Sequence, residues 1–315
     1  MDVQLVILAA GQGTRMQSDL PKVLHEVGHA PLLHHALRAG QALDPEHIVV
    51  VAGHGGDAVA AAAQQVQADV RAVPQAQRLG TAHAVAQALP ALDGAGGATL
   101  VLYGDTPLIR PETMRAMVGG LTRHAVMVLG FEAQDPTGYG RLITHGDVLE
   151  RIVEHRDASE MERGVALCNS GVIACETELL RRLVPMIGND NAKGEYYLTD
   201  LPGLARAEGL SCGYASCPEN ETLGVNSRAD LARAEAAFQA RARAAALGDG
   251  VTLTAPDTVY FAWDTVLGRD VSVEPHVVFG PGVTIETSAR VRAFSHLEGC
   301  HVSAGAIVGP YARLR

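Results

Sequence analysis

The stretch that decides the fold is LAAGQGTRM at residues 8–16, with LPK at residues 20–22 soon after it. The apolar run at residues 3–8 predicts a buried strand leading into this loop. Two glycines at alternate positions let the backbone turn sharply and approach a ligand, and successive backbone N–H groups in such a loop form an anion-binding concavity. Arg15 and Lys22 add two positive charges, so the loop suits a polyphosphate.

Other interpretations of this loop are weaker. The dinucleotide fingerprint G-x-G-x-x-G fails because Met16 stands at its third glycine, and no acid follows the next predicted strand, residues 48–51. The Walker pattern is absent from the sequence. A plain strand-to-helix turn, with glycines for geometry alone, stays open. The two cations on an acidic chain favour the phosphate-binding interpretation.

Composition limits the classes of protein that fit. The chain has 315 residues, enough for two domains, and a formal net charge of -10. That charge favours neither nucleic acid nor an anionic membrane as a partner. The sequence has no apolar run long enough to cross a membrane and no secretory signal pattern. The five cysteines lack C-x-x-C spacing, so we expect reduced, mostly buried thiols and a cytoplasmic protein.

Apolar strands and amphipathic helices alternate over the first 120 residues. The predicted strands are 3–8, 48–51, 70–73 and 100–103, and the predicted helices are 32–41, one from 57, 81–89 and one after Pro111. This order predicts an α/β, Rossmann-like domain with a mostly parallel sheet covered on both faces. Because such sheets bind ligands beyond the carboxyl ends of their strands, the first loop, residues 74–81 and Gly104-Asp105 should share one edge.

Asp105 lies at the end of an apolar strand. A carboxylate there is a natural ligand for a hard cation such as Mg²⁺. It could equally cap a turn, since Thr106 and Pro107 follow and Asp is common in turns. Position alone leaves both interpretations open.

Beyond residue 125 the pattern loosens. We predict a strand at 125–131, a glycine-rich turn at 135–141, a hairpin ending near residue 153 and a strand at 168–174. Gly140, Glu154 and Asn169 together are suited to reading the hydroxyl and amide groups of a sugar. Singly, each is an ordinary turn or strand-end residue, and the sequence alone does not bring them together.

The last part of the chain repeats. After a predicted helix at 229–246, apolar residues recur every sixth position: Leu267, Val273, Phe279, Ile285, Val291, Leu297 and, after a shift of one, Val302, Val308 and Leu314. This period predicts a parallel β-helix and leaves its hand undetermined. Because the repeat stops at Arg315 without a capping coil, we expect a truncated β-helix. The predicted domains are 1–228, a linker helix at 229–249, and the partial β-helix at 250–315.

Taken together, these motifs resemble one family. Besides the first loop, they are PKVLH at 21–25, GHGG at 53–56, Q-x-x-x-L-G-T-x-H-A at 75–84, YGD at 103–105, DPTGYGR at 135–141, IVEH at 152–155, GEYYLTD at 194–200 and V-N-x-R at 225–228. The family is that of the bifunctional N-acetylglucosamine-1-phosphate uridyltransferases and glucosamine-1-phosphate N-acetyltransferases, GlmU. Its enzymes supply a precursor of peptidoglycan and lipopolysaccharide.

The resemblance implies a role for each matching residue. Arg15 and Lys22 would clamp the triphosphate of UTP as catalytic residues, and Asp105 and Asn226 would coordinate Mg²⁺. The other implied residues bind the substrates: Leu8, Ala9, Ala10, Gly11, Gln75 on the uracil edge, Gly80 and Thr81 for the nucleotide, Tyr103 and Gly104 beside them, and Gly140, Glu154 and Asn169 for N-acetylglucosamine. The products would be UDP-N-acetylglucosamine and pyrophosphate.

The resemblance also implies a left-handed β-helix and a homotrimer for full-length members, which the expected truncation puts in doubt here. We expect no acetyltransferase activity from this chain, because the family's acetyltransferase site lies in later coils. Two alternatives stay open: a nucleotidyltransferase for another sugar 1-phosphate, such as glucose 1-phosphate, and a non-catalytic nucleotide-binding scaffold. A dehydrogenase is disfavoured by Met16 and the missing acid.

Overall fold

The computed structural model describes residues 1–92 and 94–315, which form two compact units. The first unit contains Met1–Leu24 and Leu32–Ser227, and the second contains His25–Pro31 and Arg228–Arg315. Each unit has its own buried apolar core.

The elements are numbered along the whole chain. The helices are α1 (Leu32–Gln41), α2 (Gly56–Val66), α3 (Thr81–Ala88), α4 (Pro111–Gly120), α5 (Glu160–Arg163), α6 (Thr177–Leu183), α7 (Leu201–Ala207) and α8 (Arg228–Gly248). The strands before α8 are β1 (Val3–Ala9), β2 (Glu26–Val27), β3 (Ala30–Pro31), β4 (His47–Ala52), β5 (Arg71–Pro74), β6 (Ala98–Tyr103), β7 (Val126–Glu132), β8 (Arg141–His145), β9 (Val148–Val153), β10 (Leu167–Glu176) and β11 (Cys212–Ser216).

The first unit is built on a nine-stranded sheet of order β5-β4-β1-β6-β10-β7-β11-β9-β8. Its first four strands are parallel. All seven residues of β1 are buried, with Leu5 and Ile7 in the core on one face and Val6 and Leu8 in the core on the other. Continuous apolar strands are what a parallel sheet between two helical layers requires. The predicted α/β class is therefore confirmed.

Past β6 the sheet becomes mixed. Strand β10 runs antiparallel to both β6 and β7, and the β8–β9 hairpin is antiparallel as well. The register between β10 and β7 shifts between Asn169 and Ile173, and such an irregularity re-aims side chains near a site. Strand β11 lies parallel to β7 and was not predicted, because its five residues lack a strong apolar period.

The second unit is a coil of two-residue strands. They are β12 (Thr252–Leu253), β13 (Val266–Leu267), β14 (Ser272–Val273), β15 (Val278–Phe279), β16 (Thr284–Ile285), β17 (Arg290–Val291), β18 (His296–Leu297), β19 (His301–Val302), β20 (Ile307–Val308) and β21 (Arg313–Leu314). They form three parallel sheets, β12-β14-β17-β20, β13-β16-β19 and β15-β18-β21. Most residues of the six-residue period are buried in the shared core, which confirms the predicted parallel β-helix.

The corners of the coil explain the period. A residue with positive φ stands two positions before each strand from β14 onwards: Asp270, His276, Gly282, Ser288, Phe294, Gly299, Gly305 and Tyr311. Only glycine adopts this conformation without steric cost. Five of these eight corners nevertheless hold another residue. The repeated turn therefore does not require glycine, and the apolar period is the more reliable signal.

A short hairpin of β2 and β3 also belongs to the second unit. The Gly28 N–H donates to the Glu235 carboxylate at 2.7 Å, and the Trp263 N–H donates to the Gly28 carbonyl at 2.8 Å. Gly28 has φ +55, and a Cβ there would overlap the Phe238 ring. This hairpin was not predicted, since two-residue strands carry no periodic signal.

Two expectations from composition can be compared with the structure. Within residues 1–92 and 94–315, no helix is long and apolar enough to cross a membrane. The five cysteines are unpaired, and four of them are buried, as expected. The functional boundaries 1–228, 229–249 and 250–315 stay a prediction.

We predict that Phe279→Ala destabilises the second unit by about 3–5 kcal/mol, because it empties a site in the coil core. Phe279 is fully buried, with its ring centroid 5.4 Å from that of Phe261. The single tryptophan of the chain, Trp263, lies in this unit, so its fluorescence during denaturant unfolding measures the change.

The matched control is Phe294→Ala, at an exposed corner of the same coil. Its ring stacks on His276 and Tyr311 but is 52% exposed. We expect a loss of at most about 1.5 kcal/mol there. Equal losses for the two variants would contradict the assignment of Phe279 to the core.

Candidate active site

A cavity of about 280 Å³ lies in the first unit at the carboxyl ends of the parallel strands. Its lining brings together residues far apart in sequence: Leu8, Ala9, Ala10, Gly11, Lys22, Val23, Gln75, Arg78, Gly80, Thr81, Ala84, Tyr103, Asp105 and Glu195. Most of the predicted nucleotide-side residues are among them. Gly104 lies behind this lining, where its N–H donates to the Leu8 carbonyl at 3.0 Å.

Close backbone packing shapes the first loop. Gly13 has φ +62, and a Cβ there would lie 2.7 Å from the Cβ of Lys22. A Cβ at Gly53 would lie 2.6 Å from the carbonyl oxygen of Ala10. Real Cβ atoms do not approach so closely, so both positions need glycine. The loop is thus held against the lysine and against the turn after β4.

Lys22 is the charged centre of the cavity wall. Its ammonium donates to the Asp105 carboxylate and, at 2.9 Å, to the Asn226 side-chain oxygen. Lys22 is 8% exposed. The Val225 N–H donates to the Asp105 carbonyl at 2.9 Å, and this backbone bond brings Asn226 next to Asp105. The two predicted metal ligands therefore direct oxygens at one cation.

A cluster of three or more His, Cys, Asp or Glu side chains that could hold a metal does not occur in the described part of the chain. The site offers one carboxylate and one amide oxygen instead. Mg²⁺ commonly takes one or two protein carboxylates and completes its shell with waters and substrate phosphates. The donors at Asp105 and Asn226 fit that ion.

Gly80 and Thr81 are positioned by a passing segment of chain. The Tyr196 N–H donates to the Leu79 carbonyl at 2.7 Å, and the Ala82 N–H donates to the Tyr196 carbonyl at 2.9 Å. The Thr81 hydroxyl accepts from the Leu198 N–H at 2.9 Å. Gly80 has φ +118, and a Cβ there would overlap the Tyr196 carbonyl.

The structure brings Gly140, Glu154 and Asn169 together. The Asn169 N–H donates to the Gly140 carbonyl at 2.9 Å. A Cβ placed on Gly140 would lie 3.5 Å from Glu154 Oε1 and 3.6 Å from the Asn169 Cβ. The Asn169 side-chain oxygen accepts from the Gly171 N–H at 2.9 Å, so its NH₂ group is left to donate. The sequence could name these residues but not their convergence.

Tyr103 lines the cavity and also contacts the strand that carries Asn169. Its ring packs on Gly171, where a Cβ would lie 2.7 Å from the ring, and its side chain is hydrogen-bonded to Thr81. Burial raises the pKa of the Tyr103 phenol far above its usual range, and the negative charges of Asp105 and Glu154 add to that rise. Tyr103 is therefore a neutral hydrogen-bonding group at physiological pH.

Glu154 carries a perturbed carboxyl group. Burial raises its pKa above the ordinary range, while the hydrogen bond that it accepts from Thr199 at 3.2 Å opposes the rise. Desolvation disfavours the ionised form. A carboxylate held in this way gains most from a ligand that donates hydrogen bonds to it.

Arg141 is a site residue that the sequence analysis missed. It is 1% exposed, and its guanidinium donates to the carbonyl oxygens of Tyr139 and Arg163 and lies 3.5 Å from His155 Nδ1. It thus joins the segments on either side of Gly140 and Glu154. Arg78, Glu195 and Thr199 were also missed as site residues, although Arg141, Glu195 and Thr199 all lie in quoted motifs.

Arg15, unlike the other predicted catalytic residue, Lys22, lies outside the cavity lining. Its side chain is exposed on the short helical turn Thr14–Met16. Its role toward a phosphate stays a prediction.

Comparison with known proteins identifies the class of the domain that contains this site. Residues 5–170 match the family model described as a MobA-like NTP transferase domain. Two solved structures of UDP-glucose pyrophosphorylase share the fold: the complex with UDP-glucose has a TM-score of 0.62 at 16% identity, and the apo form 0.63 at 15%. The matches cover 76% and 77% of this chain and the whole of each of those chains. Fold and matched domain define a nucleotidyltransferase.

Curated relatives are far more similar in sequence. The bifunctional protein GlmU of Cereibacter sphaeroides is 67% identical over 304 residues, covering 96% of this chain and 67% of the relative. The bifunctional protein GlmU of Ruegeria sp. strain TM1040 is 62% identical over 315 residues, covering all of this chain and 70% of the relative. The chain belongs to the GlmU family, and it spans about two thirds of the length of these relatives.

We predict that Gly80→Ala weakens nucleotide binding at least about tenfold and lowers the stability of the first unit by more than about 2 kcal/mol. A side chain at this φ is strained, and its Cβ would overlap the Tyr196 backbone. Calorimetry measures both the melting and the nucleotide affinity.

The control for this variant is Gly188→Ala in the same unit. Gly188 is exposed, and a Cβ there would meet no atom within 4 Å. The Gly188→Ala variant should change neither the stability of the first unit nor the nucleotide affinity by much. If Gly80→Ala also left both unchanged, the tight packing described at Gly80 would be wrong.

Proposed function

We propose that the chain transfers the uridylyl group of UTP to N-acetylglucosamine 1-phosphate, releasing pyrophosphate and forming UDP-N-acetylglucosamine. The observation that carries this proposal is the convergence of Asp105 and Asn226 on Lys22, which lines the cavity. That arrangement suits the neutralisation of phosphate charge. Membership of the GlmU family and the neighbouring trio of Gly140, Glu154 and Asn169 support the sugar specificity.

The chemistry requires little proton transfer from the protein. The nucleophile is a phosphate oxygen that is already anionic, so no general base is needed. Its bond to the α-phosphorus of UTP forms as the bond from that phosphorus to the bridging oxygen breaks, and the electron pair leaves with pyrophosphate. Such transfers depend on positioning and on neutralising developing charge.

Lys22 is the residue best placed to neutralise that charge, and exposed Arg15 would join it on the triphosphate. Asp105 and Asn226 would hold Mg²⁺, which when bound shields the phosphates from mutual repulsion. The loop N–H groups from Ala10 onwards would bind phosphate oxygens. Gly11 allows close approach, because a Cβ there would lie 3.6 Å from Lys22 Nζ.

The sugar would occupy the trio next to Tyr103. Glu154 would accept hydrogen bonds from sugar hydroxyls, and the Asn169 NH₂ group would donate to an oxygen of the ligand. Gly140 leaves room for the ring, because any side chain there would approach Glu154 and Ile152. The raised pKa of Glu154 makes these contacts dependent on pH.

Three further expectations from the sequence stay predictions. They are the cytoplasmic location, the homotrimer and the lack of acetyltransferase activity in this chain.

The test is pyrophosphate release from UTP with a panel of sugar 1-phosphates, with Mg²⁺ and after chelation. We expect turnover to be highest with N-acetylglucosamine 1-phosphate and to disappear on chelation. Faster turnover with glucose 1-phosphate would favour another sugar specificity. UTP binding without pyrophosphate release would favour a non-catalytic scaffold. Either result would refute the proposal.

In the same assay Lys22→Met keeps the aliphatic volume but removes the ammonium, so kcat should fall about 10²–10³-fold. The matched control is Arg123→Met, an exposed cation just before β7, at the end of the strands opposite to the cavity. It should retain kcat. Near-normal turnover of the Lys22 variant would exclude Lys22 from the charge-neutralising role.

We predict that KM for the sugar phosphate rises as pH falls through the pKa of Glu154. Because burial raises that pKa, the rise should begin at a higher pH than for an ordinary glutamate. Glu154→Gln should have a high KM with a flatter pH profile, since its amide does not ionise. Initial rates between pH 5 and pH 8 give the profile.

The control is Glu150→Gln, a neighbouring exposed carboxyl on β9. Its profile should match that of the unmodified protein, including any contribution from titration of the substrate phosphate. A Glu154→Gln profile that also matched would show that Glu154 does not titrate in this range.

A further inference from the structure

We propose that His83 is a positioning residue that, together with the Gly80 carbonyl oxygen, fixes which end of the Gln75 amide faces the nucleotide base, and so strengthens the selection of uracil over cytosine. This inference rests on the proposed function, in which the cavity binds UTP. It concerns how a base is chosen, which the transfer chemistry itself does not determine.

The Gln75 side chain is buried and held at one atom. Gln75 is 6% exposed and lines the cavity. Its Nε2 lies 3.2 Å from the Gly80 carbonyl oxygen and 3.0 Å from His83 Nδ1. In residues 1–92 and 94–315, the structure gives its Oε1 no hydrogen-bond partner, nor is that oxygen among the buried unsatisfied atoms.

The chemistry of these neighbours determines the orientation of the amide. A carbonyl oxygen only accepts, so the atom beside Gly80 must be the NH₂ group. The second hydrogen of that group then donates to Nδ1, which must be the unprotonated ring nitrogen. A neutral ring carries its proton on Nε2 in that case. Both hydrogens of Gln75 are used, and its oxygen is the group left for a ligand.

The Gly80 carbonyl is itself held in place. Gly80 has φ +118 and packs against the Tyr196 backbone, so its oxygen cannot easily turn away. His83 stands in the first turn of α3, one turn before Gln87. The Gln87 amide nitrogen lies 3.2 Å from the His83 carbonyl and 3.4 Å from ring Nε2. A neutral ring accepts at one nitrogen only, and the shorter contact, to Gln75, is that bond.

An acceptor at this place distinguishes the two pyrimidines. Uracil presents an N3–H donor, whereas N3 of cytosine is an acceptor. When Oε1 of Gln75 faces this position of the base, it accepts a hydrogen bond from N3–H of uracil. In cytosine the same oxygen would face N3, which is also an acceptor. Turning the amide over would suit cytosine but would place Oε1 against the Gly80 oxygen and Nδ1 of His83. A buried polar group left unpaired is the usual source of strong discrimination.

The experiment compares kcat/KM for UTP and CTP in three proteins, with UTP and CTP affinities from calorimetry. The UTP-to-CTP ratio should fall about tenfold or more in His83→Leu, which lacks the acceptor. It should recover in His83→Asn, whose side-chain oxygen can replace Nδ1. His83→Ala, which adds no atoms, carries the same test if the leucine variant does not fold.

The ratio separates positioning from general support of the fold. Damage to the fold would lower the values for both nucleotides alike, and an unchanged ratio in His83→Leu and His83→Ala would overturn the inference. Failure of the proposed function has a different signature, because the unmodified protein would then release no pyrophosphate from UTP or would turn over another sugar 1-phosphate faster than N-acetylglucosamine 1-phosphate. Recovery in His83→Asn together with loss in the other variants is the result expected.

Discussion

The active site depends on one buried cation. The Lys22 ammonium is almost fully enclosed, and it lies against the oxygens of Asp105 and Asn226, which stand 83 and 204 residues further along the sequence. A buried charge is tolerated only when it is paired and hydrogen-bonded. The lysine therefore ties the first loop to the end of β6 and to the segment after β11. The first loop needs glycine at Gly13 for the same reason, because the loop packs so closely on the Lys22 side chain that a Cβ would overlap it.

Much of the fold can be predicted from the sequence because its signals are local. Strands buried on both faces are apolar throughout, as β1 and β4 are, and the coil repeats its interior positions every six residues. The parts that could not be predicted are those set by distant pairing. The insertion of β10 between β6 and β7 reverses the local strand direction, and the β2–β3 hairpin is held by partners more than 200 residues away, such as Glu235.

The candidate site likewise has parts that local sequence signals reveal and parts that depend on distant pairing. Lys22, Asp105 and Gln75 stand in recognisable motifs, but the proximity of Asp105 to Asn226 depends on one backbone bond from Val225. The meeting of Gly140, Glu154 and Asn169 depends on the hairpin and on the irregular register of β10. Arg141 closes the quoted motif at 135–141, but its role was missed because the sequence does not show its partners, which are backbone carbonyls and a histidine.

The three-sheet coil has a consequence for how this architecture can vary. One full circuit takes eighteen residues where Ser272 pairs with Arg290, and seventeen where Thr284 pairs with His301. Insertions of about eighteen residues would add a storey without disturbing those below, since each layer contacts only its neighbours. An insertion of one residue within a strand would instead turn inward-facing side chains to the solvent, because successive side chains point to opposite faces. The length of this unit can therefore change by whole circuits, whereas changes inside a strand disrupt its core.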